Sequence, residues 1–257
     1  MTLDELCDDL LAEREDLLAV LGGLDEEAWR TPTPAPGWSV RDQVTHLAFF
    51  DEKTQQAIAE PDAFRAGIDE FRSDVVGGVE GVRRAHEHLT GAECLAWLRR
   101  AGEALVAEAR RHDSRLRVPW YGPDMSLSST ITARIMETWA HGQDVADAVG
   151  AARPPSLRLR HIAFLGYRAI PNSFTARGRP VPDAPVRVEL GDVAFGPEDA
   201  ADVVRGPLLD FCLVVTQRRH PADTALVAEG PVATEWLGIA QAFAGPPGEG
   251  REPGQFS

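Results

Sequence analysis

The sequence predicts an α+β protein in which a helical bundle is followed by a smaller unit of mixed helices and strands. Apolar residues in the first half recur with the spacing of amphipathic helices, and proline- and glycine-rich segments interrupt that spacing. Beyond residue 150, helix-like segments alternate with short β-branched segments. We therefore predict a four-helix bundle over residues 1–150, a small α+β domain over 151–245 and a flexible tail over 246–257.

The first two helices of the bundle have clear boundaries in the sequence. Apolar residues, mostly leucines, line one face of residues 3–21, which predicts an amphipathic helix. The segment TPTPAPGW (31–38) then breaks regular structure with its prolines and glycine. Ser39 and Asp42 have the spacing of a capping box, with Asp in place of the usual Glu or Gln, so a second helix is expected over 40–60.

The rest of the bundle is predicted in the same way. Residues 62–88 are expected to be helical, with a group of glycines as weak points. Thr90 and Glu93 form a second capping box, which predicts a further long helix. The stretch RLRVPWYGPDMS is expected to be extended with a turn. It leads to a last bundle helix over 128–149, which Gly150 closes.

The second half carries a mixture of patterns. Residues 156–170 are predicted to be helical, and VRVEL (186–190) is predicted to be a strand that pairs with DVAFG. A helix is expected to begin at Pro197. The run LLDFCLVVTQRRH fits a strand or a helix, and its length favours a helix. ALVAEG is a predicted short strand, and PVATEWLGIAQAFAG is a predicted last helix closed by Gly245.

The composition argues against several classes of function. The net charge is −14 and no basic stretch carries interleaved aromatics, so nucleic-acid binding is not expected. The mean hydropathy is −0.21, and no apolar run approaches the roughly 20 residues that a membrane span needs. The acidic N-terminus does not resemble a secretory signal, so a cytoplasmic location is expected. Cys7, Cys94 and Cys212 are far apart and are expected to be core thiols.

One pair of residues in the last bundle helix has the spacing of metal ligands. Glu137 and His141 lie four residues apart in ARIMETWAHGQDVADA, so both side chains project from one helix face. A surface Glu–His pair is the alternative interpretation of this spacing. By helical angle, however, His141 lies close to Thr138 and Val145, beside the apolar stripe. The pair is therefore expected to face inward, where a carboxylate is costly unless it is paired or bound to a cation.

A third candidate ligand lies on the second helix. His46, in SVRDQVTHLAFF, also lies near an apolar stripe. One divalent metal bound by His46, Glu137 and His141 would satisfy the polar groups of both helices. Imidazole and carboxylate suit zinc and related first-row metals, so we favour zinc, with nickel, iron and manganese as alternatives. Three protein ligands leave a coordination position open, which is the arrangement typical of catalytic sites.

The segments PGWSVRDQVTHL and METWAHGQDVADA, about ninety residues apart, together resemble the DinB-like metal-dependent thiol-transferase superfamily. More narrowly, the chain is similar to the actinobacterial branch that includes mycothiol-dependent maleylpyruvate isomerase. The resemblance covers most of the chain and is firmest over residues 1–150. It implies an α+β protein with an N-terminal DinB-type four-helix bundle and a smaller C-terminal α/β domain.

The resemblance also implies roles for particular residues. His46 matches the histidine of the GW-x-x-R-D-x-x-x-H-L segment, and Glu137 and His141 match the E-x-x-x-H helix, so all three are implied metal ligands. Zinc is the usual metal of that branch, and its open position accepts water or mycothiol as a cosubstrate. In the isomerase an arginine of the C-terminal domain assists the substrate, and Arg218 and Arg219 are the candidates here. The stretch RVPWYGPDMS fits a close uncharacterised metal-binding subfamily better than the isomerase itself.

Two further residues are candidate catalytic groups. Tyr121 precedes the metal-binding helix, where a loop could close over the site and a phenol could donate to a substrate; aromatic core packing is the alternative. Asp144 follows His141 by three residues and could orient a ligand imidazole or line the pocket; an exposed acid near a helix end is the alternative. Asp42, four residues before His46, is interpreted as a helix cap or as a partner of Arg41 rather than as a partner of the metal ligands.

Three functions fit these features. The first is a metal-dependent thiol transferase or isomerase that presents mycothiol or water to a small electrophile. The second is a thiol-independent, metal-dependent isomerase, cyclase or hydrolase of a secondary metabolite, because a fold does not determine a reaction. The third is a non-catalytic metal-binding stress-response protein. A small-molecule substrate is expected for the two enzymes, and a homodimer is a further expectation because such bundles often pair.

Overall fold

The computed structural model describes residues 1–68, 71 and 74–256, and the chain divides into two compact units. Unit 1 spans Met1–Arg153 and unit 2 spans Pro154–Ser257. Helices dominate unit 1, whereas unit 2 combines helices with a four-stranded sheet, which confirms the predicted α+β class. Among the described residues, no helix combines the length and the apolar character that crossing a bilayer requires.

The elements of unit 1 follow the predicted order closely. Its helices are α1 (Leu3–Leu21), α2 (Val40–Ala59), α3 (Pro61–Gly67), α4 (Val75–His86), α5 (Gly91–Ala109) and α6 (Leu127–Val149). A short antiparallel pair, β1 (Arg117–Val118) and β2 (Met125–Ser126), precedes α6. Helices α1, α2, α5 and α6 pack against one another and form the bundle.

Local sequence signals set the ends of these helices. Ser39 and Asp42 form the predicted capping box at the start of α2, with the Asp42 carboxylate accepting from the Ser39 backbone N–H at 2.8 Å. Thr90 and Glu93 do the same for α5. Gly150 ends α6 with a φ of 65°, a left-handed conformation that glycine adopts without steric strain. The predicted starts of both capped helices and the end of α6 are therefore confirmed.

Two hydrophobic cores hold unit 1 together, and α6 contributes to both. One core contains Leu127, Ile131 and Ile135 of α6, and the other contains Val145. Glu137 and His141 lie between these anchors in the sequence, so burial of the apolar residues on either side holds the two polar side chains in place.

One prediction for unit 1 is corrected. The glycines Gly77, Gly78 and Gly81, which were expected to weaken the helix, lie inside α4, because α3 ends at Gly67 and α4 begins at Val75. The Asp74 side chain accepts from the Gly77 backbone N–H at 2.8 Å and caps α4. A capped start therefore compensates for the low helix propensity of glycine.

Unit 2 contains a mixed four-stranded sheet, and helices precede, interrupt and follow its strands along the chain. Its elements are α7 (Leu159–Arg168), α8 (Ile170–Thr175), β3 (Val186–Leu190), β4 (Val193–Phe195), β5 (Asp202–Arg205), α9 (Leu208–Val215), β6 (Val227–Glu229) and α10 (Pro231–Leu237). The strand order is β4-β3-β5-β6, in which β3 and β5 are parallel and the other pairs are antiparallel. The predicted strands at 186–190 and in DVAFG and ALVAEG, and the predicted helix in LLDFCLVV, are confirmed.

Two predictions for unit 2 are wrong in detail. No helix begins at Pro197; a turn there leads into β5, whose Asp202 pairs with Val186 of β3. The last helix ends at Leu237 rather than at Gly245. The backbone N–H of Ala242 donates instead to the Val215 carbonyl at 2.7 Å, so a tertiary hydrogen bond replaces the helical one.

The predicted tail, residues 246–257, has no helix or strand in its described part, but other residues of unit 2 contact it. The Gly254 backbone N–H donates to the Asp223 carboxylate at 2.7 Å. The Arg219 guanidinium lies 3.9 Å from the centre of the Phe256 ring, which is a cation–π distance. These contacts hold the segment against unit 2.

Candidate metal centre

A tight loop and the start of α2 position the first predicted ligand. The backbone N–H of Val40 donates to the Thr31 carbonyl at 3.0 Å, and the N–H of Thr33 donates to the Trp38 carbonyl at 2.7 Å. These bonds close the proline-rich loop just before α2 begins. His46 lies within α2, two turns after its start, and its side chain is 14% exposed.

The three predicted ligands converge in the structure. His46 Nε2 lies 4.0 Å from Glu137 Oε2, and His141 Nε2 lies 3.2 Å from the same oxygen. Ligand atoms of all three residues lie within 4.8 Å of one another, and in the described part of the chain this is the one such group of His, Cys, Asp or Glu side chains. We call His46, Glu137 and His141 the ligand triad.

The donor set of the ligand triad fits a divalent metal. Two imidazoles and one carboxylate form a ligand set that zinc accepts, and such a set of three leaves a position for an exogenous ligand. All three side chains are partly exposed, between 13% and 25%, so a small molecule can reach them from solvent. The residues present can therefore hold the metal that the sequence predicts.

Charge in the site favours an ionised Glu137. Burial raises the pKa of this carboxyl, but the hydrogen bond and charge of His141, followed by the charges of Arg134 and His46, lower it further. The net result is a pKa of about 2. Glu137 is therefore an anion at neutral pH and is suited to bind a cation.

Aromatic rings surround the ligand triad. The Trp38 ring centre lies 5.2 Å from that of His46 and 5.9 Å from that of His141, and the His141 contact is stacked. The Phe50 ring centre lies 4.6 Å from that of His46. These contacts restrict the orientation of both imidazoles and give the site apolar walls.

Gln43 is a part of the site that the sequence analysis missed. Its side chain is fully buried, and its Oε1 atom is hydrogen-bonded to His141 Nδ1. Gln43 precedes His46 by three residues on α2, so the helical period places both on one face. That spacing was a usable signal, but it does not show that the amide would reach across to α6.

The structure places Tyr121 among aromatic rings. Its ring centre lies 5.8 Å from that of Phe50, 5.4 Å from that of Phe64 and 4.5 Å from that of Phe71. Burial raises the pKa of the Tyr121 phenol to about 12, so it stays protonated at neutral pH. This position fits the packing interpretation; the catalytic role of Tyr121 stays a prediction.

Two acidic residues near the ligands in the sequence, Asp144 and Asp42, have different environments. Asp144 is fully buried, so its interpretation as an exposed acid near a helix end is wrong. Its role in orienting a ligand or lining the pocket stays a prediction. Asp42 caps α2, as expected, and its carboxylate also accepts from the Ser39 hydroxyl at 2.6 Å.

A cleft of about 600 Å³ lies elsewhere in unit 1, and none of its lining residues belongs to the ligand triad. Phe49, Glu52, Lys53 and Trp97 line it, together with other residues of α2 and α5. Trp97 Nε1 donates to Glu52 at 2.7 Å, and Lys53 donates to Gln56 at 3.1 Å, so polar groups of the cleft already pair with each other. We assign the site from its ligand chemistry rather than from cavity size.

The two candidate arginines lie in unit 2, just after α9. Arg218 Nη1 donates to the Thr216 carbonyl at 2.6 Å, and Arg219 Nη1 donates to the Arg218 carbonyl at 2.7 Å. Both guanidinium groups are thus hydrogen-bonded to nearby backbone. A role for either in substrate binding stays a prediction.

Comparison with known proteins identifies a family and two relatives of similar length. Residues 10–146 match the family model described as the mycothiol maleylpyruvate isomerase N-terminal domain. Two uncharacterized proteins of Mycobacterium tuberculosis, MT0041 of strain CDC 1551 / Oshkosh and Rv0036c of strain ATCC 25618 / H37Rv, are each 42% identical to this chain over 254 residues. These alignments cover 95% of this chain and 96% of each relative.

Solved structures show the same fold. The crystal structure of the mycothiol-dependent maleylpyruvate isomerase matches with a TM-score of 0.64, and that of a histidine-to-alanine mutant of this enzyme matches with 0.63. Each match covers 90% of this chain and 95% of the other, at 14% sequence identity, so it is informative about fold alone. Because the family model spans more than half of the sequence, the chain belongs to the mycothiol maleylpyruvate isomerase N-terminal domain family, within the DinB-like superfamily.

Proposed function

We propose that this protein is a metal-dependent enzyme that activates mycothiol or water for attack on, or isomerisation of, a small electrophilic substrate. The observation that carries the proposal is the convergence of His46, Glu137 and His141, whose ligand atoms lie within 4.8 Å of one another. Membership of a mycothiol isomerase family supports mycothiol as the cosubstrate. The donor set favours zinc, and nickel, iron and manganese share the same ligand preferences.

The chain's own residues perform separate tasks in this proposal. His46, Glu137 and His141 would hold the metal, which supplies Lewis acidity and lowers the pKa of a bound thiol or water. The ionised Glu137 balances part of the charge of the cation. Trp38 packs against both imidazoles and Phe50 packs against that of His46, which restricts the orientation of the two rings.

The protein's own cysteines do not serve as the nucleophile. Cys7, Cys94 and Cys212 are all fully buried. Burial raises the pKa of all three thiols, that of Cys94 to about 12, so they remain protonated at neutral pH. Any thiolate chemistry therefore requires a thiol from outside the chain, which supports a low-molecular-weight cosubstrate.

The test combines metal content, thiol binding and turnover. The purified protein, loaded with one equivalent of zinc, should bind mycothiol in a calorimetric titration and should consume a model electrophile faster when mycothiol is present. The His141→Ala variant should lose both properties. The matched control is His112→Ala, because His112 forms the same kind of i, i+4 pair with Glu108, at 2.8 Å, and neither residue belongs to the ligand triad.

Each outcome of this test separates one of the candidate functions. Turnover that requires zinc but does not respond to mycothiol would assign the thiol-independent class. Zinc binding without thiol binding or turnover would assign a non-catalytic metal-binding protein. A wild-type protein with no more zinc than His141→Ala would contradict the metal site itself.

A further inference from the structure

We propose that Gln43 is a positioning residue that determines which ring nitrogen of His141 is presented to the metal. The proposal rests on the proposed metal site. Gln43 is not one of the three proposed ligands; it acts through the imidazole of His141, to which it is hydrogen-bonded. Its fully buried amide forms one step of a continuous hydrogen-bonded chain between α6 and the loop before α2.

The hydrogen-bonded chain ends at the Trp38 carbonyl. This carbonyl accepts from the Thr33 hydroxyl at 2.9 Å and from the Thr33 backbone N–H at 2.7 Å. Thr33 Oγ1 in turn accepts from the Gln43 amide, whose Nε2 lies 2.8 Å away. This places Gln43 Oε1 toward His141, where it accepts the hydrogen on Nδ1.

With a metal on Nε2, the ring hydrogen of His141 lies on Nδ1, and the Gln43 amide oxygen is the group that accepts it. His141 Nε2 is the nitrogen directed toward Glu137, at 3.2 Å. A histidine that binds a metal usually donates its other ring N–H to an oxygen, which sets both tautomer and ring orientation. Gln43 provides this oxygen from the helix that also carries His46.

An amide oxygen differs from the carboxylate that often fills this role. Because Gln43 is neutral, it orients His141 without adding a negative charge beside the metal. The Glu137 carboxylate then supplies the negative charge among the three ligands. A less anionic surrounding leaves the metal a stronger Lewis acid, which fits a site that activates a thiol or water.

The hydrogen-bonded chain also connects the proline-rich loop before α2 to the ligand triad. Trp38 provides the terminal carbonyl of the hydrogen-bonded chain, and its indole ring lies against both His46 and His141. Gln43 thus holds the loop, α2 and α6 in one arrangement around the ligands. Loss of the amide should affect metal binding more than it affects folding.

Zinc affinity tests the proposal. The dissociation constant is measured by competition with a chelator for the wild type, Gln43→Leu and Gln43→Glu. Gln43→Leu removes the acceptor and should weaken zinc binding about 10–100-fold, the usual effect of losing such a partner. Gln43→Glu keeps an acceptor oxygen and should bind zinc at least as tightly as the wild type.

Controls separate this effect from general damage. Gln55→Leu makes the same chemical change on α2, in the cleft away from the ligand triad, and should leave zinc affinity unchanged. Equal zinc affinity of the wild type and Gln43→Leu would overturn the proposal. It would also be overturned if Gln43→Glu bound zinc as weakly as Gln43→Leu, because packing rather than hydrogen bonding would then explain the loss.

A spectroscopic measurement needs no variant. In the zinc-loaded wild type with ¹⁵N-labelled histidine, His141 should retain its hydrogen on Nδ1 and coordinate through Nε2. Coordination through Nδ1 would overturn the assignment of Gln43. Failure of the wild-type protein to bind zinc more tightly than His141→Ala would instead contradict the proposed metal site, so the two failures are distinguishable.

Discussion

Two polar clusters lie between the helices of unit 1, and they differ in exposure and in the chemistry of their side chains. The first is the ligand triad defined above. The second, which we call the arginine triad, consists of Arg14, Asp51 and Arg134. Arg14 Nη2 lies 2.6 Å from Asp51 Oδ2, and Arg134 Nε donates to Asp51 Oδ1 at 3.0 Å. Side-chain exposure in the arginine triad is between 1% and 4%.

The two triads draw on the same helices. Helix α2 supplies His46 to one and Asp51 to the other, and α6 supplies Glu137 to one and Arg134 to the other. Burial of polar residues on these helices therefore does not identify a functional site. The chemical nature of the atoms that meet is the distinguishing feature.

Donors and acceptors explain the contrast. Guanidinium groups carry only donors and cannot bind a cation, so the arginine triad forms its ion pairs within itself. The ligand triad brings a carboxylate oxygen and two imidazole nitrogens together, which is a set that can bind a cation. We therefore interpret the arginine triad as structural and the ligand triad as functional, and the following predictions test this difference.

The largest expected effect is on stability, at the arginine triad. Asp51→Asn preserves the shape of the side chain but leaves two buried guanidinium groups without their counter-charge. We expect the free energy of unfolding to fall by about 3–5 kcal/mol, as measured by urea denaturation followed by circular dichroism. A loss below about 1 kcal/mol would mean that the triad does not hold the bundle together.

The matched control is Glu103→Gln, an equivalent neutralisation at an exposed position of α5. This variant should change the free energy of unfolding by no more than about 0.5 kcal/mol. Replacing all three members of the arginine triad with apolar residues of similar volume should recover much of the loss, because the buried charge is removed together with its partners.

The next effect is on zinc-dependent stability, at the ligand triad. Free zinc at about 100 times its dissociation constant should raise the free energy of unfolding of the wild type by about 2.7 kcal/mol. His141→Ala should lose this increment, because one of three ligands is missing. His112→Ala should keep it, and equal increments in the wild type and His141→Ala would remove the functional distinction between the two triads.

The smallest effect tests how tightly the arginine triad is packed. Gly102 of α5 faces Arg14, and a Cβ atom at this position would lie 1.8 Å from Arg14 Nη1. Overpacking costs about 1–3 kcal/mol, whereas Ala improves helix propensity over Gly by about 1 kcal/mol. We therefore expect Gly102→Ala to lower the free energy of unfolding by about 1 kcal/mol.

Thermal and urea unfolding of Gly102→Ala and the wild type measure this change in the free energy of unfolding, and its sign is informative. A stabilised Gly102→Ala protein would show that Arg14 moves away freely and that its ion pair with Asp51 is loose. Gly81→Ala is the control, since a Cβ atom at Gly81 of α4 has open space around it. That variant should gain stability from helix propensity alone.

The sequence was sufficient for the main bundle helices and for the three side chains that converge at the candidate metal centre. Apolar periodicity and the capping boxes at Ser39 and Thr90 are local signals, so they located α2 and α5 correctly. Helical spacing placed Glu137 and His141 on one face, and the resemblance to a known family added His46 as their partner. Contacts that cross between helices were missed, because their signals are spread over distant segments.

The missed contacts share a physical cause. Gln43 reaches His141 across 98 positions in the chain, and Arg134 reaches Asp51 across 83. The residues next to a side chain in the sequence do not determine which residue packs against it from another helix. The early end of α10 has the same origin, because the Ala242 backbone N–H is bonded to a carbonyl of α9.

The E-x-x-x-H spacing marks the limit between what sequence and tertiary structure determine. It occurs both at Glu108–His112 and at Glu137–His141, and a ring nitrogen lies 2.8 Å from the carboxylate in the first pair and 3.2 Å in the second. Sequence by itself determined both pairs, because helical geometry brings residues four apart together. Among the described residues, only the second pair meets a third ligand, His46. Helix packing decided that difference, since metal affinity requires donors from separate helices to converge on one point.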